Sequence, residues 1–231
     1  MQEEIKKHTQ RIYKEMKNTD HSFKAKATEI VIEILIIVFA VSLSIWLHSW
    51  SEHRHEQVEA KKFLGELRED LNHDIELLQD SKDIAIRLDS NARYILALTK
   101  QRPVKDSLLG PYTDQISFAT NFNSGRYEGF KSSGKIGTIE NDSLKNSILI
   151  YYQQTLPNLI TEAHFLNNEQ LKILNTGQNE LGESSLHSFL TSRKLKSMYY
   201  YIEFNFREAI NQYENSIRQA QAIIREIDEE I

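Results

Sequence analysis

The alternation of apolar and polar residues divides the chain into one long apolar run and a series of amphipathic segments. The run covers residues 30–47 and carries a single charged residue, Glu33. As a helix, about 18 residues rise about 27 Å, which is close to the thickness of a bilayer core. The pattern therefore predicts a transmembrane helix over residues 29–49.

A cleaved signal peptide explains this run less well. Signal peptides have a shorter apolar region and a cleavage site of small residues, whereas residues 48–55 are rich in histidine and charge. We predict an uncleaved signal anchor. Trp46 and Trp50 lie one helical turn apart near the end of the run, where indole rings favour the boundary with the headgroups.

The distribution of basic residues predicts the orientation of the anchor. Residues 1–28 contain a cluster of lysine and arginine, whereas the basic residues after the run alternate with acidic ones. Basic residues favour the cytoplasmic side of a membrane. We therefore expect a cytoplasmic basic tail over residues 1–28 and a periplasmic region over residues 50–231, with the anchor in the inner membrane and lipid as a partner.

One face of the predicted membrane helix combines small and ionisable residues. Spacings of three and four residues place these side chains together: Glu33, Ile37, Ala40, Ser44 and His48. Ala40 and Ser44 form a small-xxx-small pair, which lets two helices approach closely. We predict that this face associates with a second copy or with an unidentified membrane partner. Two alternatives remain open for Glu33, snorkelling to the headgroups or relaying a proton or ion.

Two segments resemble a bacterial family of single-pass membrane proteins whose function is unknown. The run from Glu33 to Trp50-Ser-Glu52 is similar to the family's Glu-Ile-aliphatic helix, which ends in Asn-x-Trp-x-Glu. Residues 127–144 are similar to its Ser-Gly-x-aliphatic…Asn-x-x-Leu segment, and a helix with Tyr151 and Tyr152 follows. The chain departs from the family at residues 46–48, where polar Gln and Asn are common. The resemblance implies a membrane-anchored helical protein and implies no activity.

Helical spacing of apolar residues continues through most of the remaining chain. It predicts an all-α fold in which the transmembrane helix continues into a long stalk helix and an antiparallel helical bundle follows. The expected elements are a long helix over 51–100 with room for a break near Asp80 and Ser81, a loop over 101–125, and helices at about 125–132, 141–176, 185–191 and 197–230. Ser133 and Gly134 are expected to end one helix, and Asn141 or Asp142 to cap the next.

Composition excludes several classes of function. The chain contains no cysteine, which excludes disulfides, thiolate metal sites and thiol nucleophiles. A net charge of −5 offers no basic face, so we expect no nucleic-acid partner. Eight glycines and three prolines in 231 residues indicate few of the loops on which catalytic groups usually lie. We predict that the chain is not an enzyme and holds no cofactor.

Two local patterns could suggest a ligand, and we favour a structural interpretation of both. Gly129 to Lys135 matches the opening of a phosphate-binding loop, but Ile136 stands where that loop needs Ser or Thr for magnesium. His48, Glu52, His55, Glu56 and Glu59 lie near one helical face, yet a solvated surface explains them better than a metal site does.

The sequence therefore indicates an architecture and a location and leaves the activity open. We expect a membrane-anchored scaffold or an accessory subunit of an oligomeric envelope complex. A second hypothesis is a sensory module that binds a small ligand near the 101–135 region and the aromatic residues of 199–206, and that signals through a partner. A third is an oligomer that conducts ions through Glu33.

Overall fold

The described part of the chain consists of helices and the loops that join them. A computed structural model describes the backbone of residues 2–114, 116–180 and 185–231, and the side chains of residues 27–114, 116–177 and 185–231. No strand occurs in these ranges, so the all-α prediction is confirmed. The α-helices are α1 (Gln2–Ala97), α2 (Gly125–Ser132), α3 (Asp142–Ile150), α4 (Leu156–Glu180), α5 (Leu186–Leu190) and α6 (Arg193–Glu230).

The chain divides into two compact units, residues 1–56 and residues 57–231, and helix α1 contributes to both. The second unit begins later than the predicted boundary at residue 50. The reason is that no side chain of residues 50–56 is buried, and Ala60 is the first buried residue of α1. The basic side chains of residues 6–26, on which the predicted orientation depends, lie outside the described residues.

Two apolar clusters form the core of the second unit. The first, the α4–α5 core, joins residues 78–98, at the end of α1 and just after it, with two loop residues, α4, α5 and the part of α6 from Leu195 to Ile217. The second, the tyrosine core, joins α1 from Phe63 to Leu71 with Tyr127, α3 and the last turns of α6. Because α1 and α6 contribute to both clusters, they are the two long walls of the unit.

Ion pairs and a helix cap show that these two walls run antiparallel. Arg68 Nη1 lies 2.8 Å from Asp228 Oδ1, and Arg93 Nε lies 3.5 Å from Glu203 Oε1. Lys196 Nζ donates to the carbonyl of Leu96 at 3.0 Å and also to that of Leu98, at the carboxy end of α1. The lysine therefore satisfies carbonyls that have no partner inside their own helix.

The predicted long helix is continuous, and the alternative of a break near Asp80 and Ser81 does not occur, because α1 continues through both residues. Ser81 is buried, and its Oγ accepts a hydrogen bond from the backbone N–H of Ala119 at 3.3 Å. The polar residue that suggested a break therefore anchors the following loop to an uninterrupted helix.

The helix predicted over 141–176, with a kink or restart at Pro157, is divided just before that proline by a π-helical turn over Tyr151–Thr155, which separates α3 from α4. The backbone N–H of Leu156 donates to the carbonyl of Tyr151, a wider turn than that of an α-helix. Pro157 follows at once and has no N–H to donate to the carbonyl four residues earlier. The proline thus interrupts α-helical bonding where the wider turn ends.

Several predicted helix ends are correct. Gly134 has a left-handed backbone with φ of 76° after α2, and Asn141 accepts from the N–H of Leu144 at 3.1 Å as the cap of α3. Helix α6 begins at Arg193, earlier than predicted, because Ser192 caps it through the N–H of Leu195. The 101–125 loop contains two short 3₁₀ turns, Asp106–Leu108 and Gly110–Tyr112, and a third turn, Lys135–Thr138, follows α2.

Candidate functional site

No other part of the described chain covers the apolar run of the first unit. In α1 from Ala27 onward, one window of 18 residues has a mean hydropathy of 2.8, and 0% of that window is buried. Its large apolar side chains are between 41% (Leu43) and 68% (Phe39) exposed. Among the described residues this is one helix long and apolar enough to cross a membrane, judged by length and composition.

The predicted association face is continuous and carries no internal contact to another element in the first unit. Glu33, Ile37, Ala40, Ser44 and His48 are all exposed positions of α1. Ser44 Oγ donates to the carbonyl of Ala40 at 2.9 Å, so the hydroxyl is satisfied within its own helix. The face can therefore contact lipid or another helix without leaving that donor unpaired.

The two tryptophans lie on the exposed surface at the end of the apolar run. Trp46 is 61% exposed and Trp50 is 50% exposed. The guanidinium carbon of Arg54 lies 5.0 Å from the centroid of the Trp50 ring. Sequence analysis did not single out this cation–π contact, although the four-residue spacing on a helix could have predicted it.

Neither local ligand pattern forms a site. Gly129 lies inside α2, where its backbone belongs to a helix, and Lys135 Nζ pairs with Glu59 Oε2 at 2.8 Å. Among the side chains that the structure describes, no group of three or more His, Cys, Asp or Glu is placed to hold a metal ion.

The second unit contains a cavity of about 140 Å³ beside the α4–α5 core. Leu88 of α1, Ile173 and Leu174 of α4, Phe189 of α5, and Tyr199 and Phe206 of α6 line it. Tyr112, Thr113 and Asp114 of the 101–125 loop complete the wall. The structure thus brings together the loop and the aromatic segment that the second functional hypothesis named.

Among the described residues that line the cavity, the polar groups are few and include no cation. Asn91, Thr113, Asp114 and Gln170 contribute amides, a hydroxyl and one carboxylate, and the described lining residues include no Lys, Arg or His. Asp114 is exposed and has no ion-pair partner among the described residues. The cavity is therefore an apolar space beside a single uncompensated negative charge.

The aromatic segment of α6 splits between two faces of the helix. Tyr199 and Phe206 are buried and line the cavity, whereas Tyr200, Tyr201 and Phe204 are 75%, 56% and 65% exposed. Burial raises the pKa of Tyr199 to about 12, so its hydroxyl is neutral at physiological pH. Tyr199 and Phe206 therefore belong both to the packed core and to the wall of the cavity.

The tyrosine core carries a second concentration of polar groups. Tyr127 stacks on Tyr152 with ring centroids 4.5 Å apart, and Tyr151 meets Tyr152 edge to face at 5.1 Å. Tyr127 Oη accepts from Gln153 Nε2 at 2.8 Å, while the buried hydroxyls of Tyr151 and Tyr152 have no partner among the described residues. Burial raises the pKa of both hydroxyls.

Asp74 connects this core to the loop before α2. The carboxylate is fully buried and accepts from the backbone N–H of Asn123 at 3.0 Å and from its Nδ2 at 2.9 Å. Burial raises the pKa of Asp74 above its ordinary value, and the bonds from Asn123 oppose that rise. The tyrosine core and Asp74 were not among the residues predicted as functional. Tyr151 and Tyr152 were noted through the helical periodicity and through the family resemblance, without a functional role.

Comparison with known proteins gives no match: no family model, no curated protein and no solved structure is similar to this chain.

Proposed function

We propose that the chain is a membrane-anchored helical scaffold or an accessory subunit of an oligomeric envelope complex. The observation that carries this proposal is an apolar window of mean hydropathy 2.8 that no part of the described chain covers. Keeping apolar surface in water costs about 25 cal/mol per Å², so a run of this length favours a lipid environment. The resemblance to a bacterial family of single-pass membrane proteins supports the same proposal.

The anchor associates through the face that contains Ala40 and Ser44. Small side chains at these positions let a second helix approach closely, and the Ser44 hydroxyl is already bonded to the Ala40 carbonyl. The occupant of this face is a second copy of the chain or an unidentified membrane partner. The amino-terminal residues 1–28 face the cytoplasm and residues 50–231 the periplasm, which the excess of basic residues before the run supports.

Disulfide cross-linking tests self-association without interference, because the natural chain contains no cysteine. Ile37→Cys places one thiol on the face, and we expect oxidation of membranes to give a covalent dimer. Ala40→Leu combined with Ser44→Leu in this background is expected to reduce the dimer to background by preventing close approach. Dimer yield is measured by non-reducing electrophoresis.

A matched pair on the other side of the helix serves as the control. Ser42→Leu combined with Ser49→Leu adds similar bulk roughly half a turn away from Ala40, and we expect it to leave the dimer yield unchanged. Equal loss in both variants, or no loss in the Ala40 and Ser44 variant, contradicts association through this face.

The cavity favours a second function, a ligand-binding sensory module that acts through a partner. A largely apolar space with a few polar groups is the usual form of a small-molecule site. The test is thermal unfolding of the full-length protein in nonionic detergent, in the presence of each compound from a panel of small metabolites. Far-UV circular dichroism monitors the unfolding. Reproducible stabilisation that Ile173→Phe abolishes supports this function, and the absence of any stabilising compound contradicts it.

A further inference from the structure

We infer that the cavity of the second unit takes a compact organic cation with an apolar body of one ring, of the arylalkylamine class. This inference rests on the proposed ligand-binding function and specifies its chemistry. Size, lining and charge each restrict the occupant.

Size limits the occupant to about one ring. The cavity measures about 140 Å³. An engineered apolar cavity of about 150 Å³ in another protein binds benzene. A six-membered ring with a short arm toward the opening matches this space, whereas a sterol, a nucleotide or a long acyl chain exceeds it.

The lining suits an aromatic body. Phe189, Tyr199 and Phe206 come from two helices, and Tyr112 comes from the loop. Aromatic rings gain from stacking or edge-to-face contact with a ring between them, in addition to the area that is buried. Ile173 and Leu174 provide the aliphatic part of the wall on α4.

The charge of the lining selects the sign of the ligand. Asp114 is the one charged residue among the described residues that line the cavity, and the other polar groups that they contribute are neutral. An anionic ligand would meet this carboxylate with no cation to offset it. An ammonium group can pair with Asp114 and also lie near the electron-rich faces of Tyr112 and Tyr199. Cationic ligands are therefore favoured over neutral ones of the same shape, and anionic ones are rejected.

Three probes of similar shape separate these properties: phenethylammonium, propylbenzene and 3-phenylpropanoate. Binding to the full-length protein in nonionic maltoside detergent is followed by saturation-transfer NMR. Each signal is taken as the difference between the wild type and Ile173→Phe, whose added ring fills the cavity. Because ligand partitions into the detergent equally in both samples, the difference reports binding in the cavity. We expect phenethylammonium to bind about fivefold to tenfold more tightly than propylbenzene, because an exposed ion pair and a cation–π contact both contribute. No binding of 3-phenylpropanoate is expected.

Asp114→Asn keeps the shape of the side chain and removes its charge. We expect this variant to lower the preference for phenethylammonium over propylbenzene to the factor of about two that a cation–π contact alone supplies, with propylbenzene binding unchanged from the wild type. Far-UV circular dichroism checks that Ile173→Phe is folded, and Leu174→Phe replaces it if it is not.

The outcomes distinguish the two levels of the proposal. Propylbenzene or 3-phenylpropanoate binding as tightly as phenethylammonium overturns the amine class and leaves the ligand-binding function standing. An amine preference that Asp114→Asn does not lower overturns the role of the carboxylate and with it the inferred class. No difference between the wild type and the cavity-filled variant for any probe overturns both the class and the ligand-binding function.

Discussion

At the scale of single residues, Asp74 is the side chain whose charge conflicts most with its surroundings. It is fully buried, and the bonds from Asn123 offset its loss of hydration only in part, so its pKa is raised above 3.8. The folded state therefore binds the proton more tightly than the unfolded chain does. The stability that this group contributes is fully present below about pH 4 and is lost as pH rises through the folded pKa.

Asp74→Asn should remove this pH dependence, because an amide does not ionise. We expect the free energy of unfolding of the variant, relative to the wild type, to increase as pH rises from about 4 towards 7. The measurement is urea unfolding of the full-length protein in detergent at a series of pH values, followed by far-UV circular dichroism.

Asp142→Asn is the control of opposite sign. Lys145 holds the pKa of Asp142 below its ordinary value, so this carboxylate contributes stability that is lost as pH falls. Relative to the wild type, the Asp142→Asn variant should therefore lose stability as pH rises through the ordinary range of an aspartate. A constant or falling stability difference for Asp74→Asn over the same range contradicts the prediction for Asp74.

Residue patterns could predict some of these features and not others. Asn141 precedes an apolar helical stripe, so its capping role follows from local sequence. The partner of Asp74 is Asn123, 49 positions away, and its burial depends on tertiary packing that no local window contains. The same reason hides the stack of Tyr127 on Tyr152.

At the scale of elements, Gly134 determines how the chain leaves helix α2. Its φ of 76° lies in the left-handed region, which costs a residue with a Cβ about 1 kcal/mol. Three residues later, Gly137 lies in a 3₁₀ turn without a positive φ, and a Cβ at either position meets nothing within 4 Å. The two glycines therefore differ in backbone conformation and not in available space.

Gly134→Ala is expected to lower the free energy of unfolding by about 1 kcal/mol. Gly137→Ala should change it by less, or raise it slightly, because alanine reduces the freedom of the unfolded chain. Denaturant unfolding of the two variants beside the wild type measures both effects. If Gly137→Ala destabilises as much as Gly134→Ala, the left-handed backbone is not the cause.

The existence of the long helices could be predicted, whereas the details of their joints could not. Apolar residues at spacings of three and four run through α6 from Ile202 to Ile227, so its buried face is readable from sequence. The π-helical turn before Pro157 adds one residue to a turn, and periodicity cannot tell such a turn from a kinked α-helix. The cavity arises where Leu88, Ile173 and Phe206 fail to fill a space, which is a property of three helices together.

At the scale of the whole molecule, both apolar cores lie within one unit. The buried residues of the two clusters range from Phe63 to Ile227, and none belongs to residues 1–56. Removal of the anchor therefore leaves the core of the second unit intact. It also removes most of the exposed large apolar side chains of the described residues.

Residues 51–231 expressed alone should be soluble and helical, with a melting temperature within a few degrees of that of the full-length protein. Far-UV circular dichroism measures the helix content and the melting temperature, and size-exclusion chromatography the aggregation. As a control, the same fragment with Leu67→Ala should lose about 2–5 kcal/mol, because Leu67 is fully buried. An unfolded or aggregated fragment contradicts the independence of the second unit.

The placement of the tryptophans separates two spectroscopic signals. The chain has two tryptophans, Trp46 and Trp50, and both belong to the exposed end of the apolar run. Selective excitation of indole therefore reports the polarity around the first unit and does not detect the melting of either core directly. On heating, the tryptophan emission can stay blue-shifted while the near-UV circular dichroism of the tyrosines is lost. That combination would show that the anchor is still in lipid and that the second unit is unfolded.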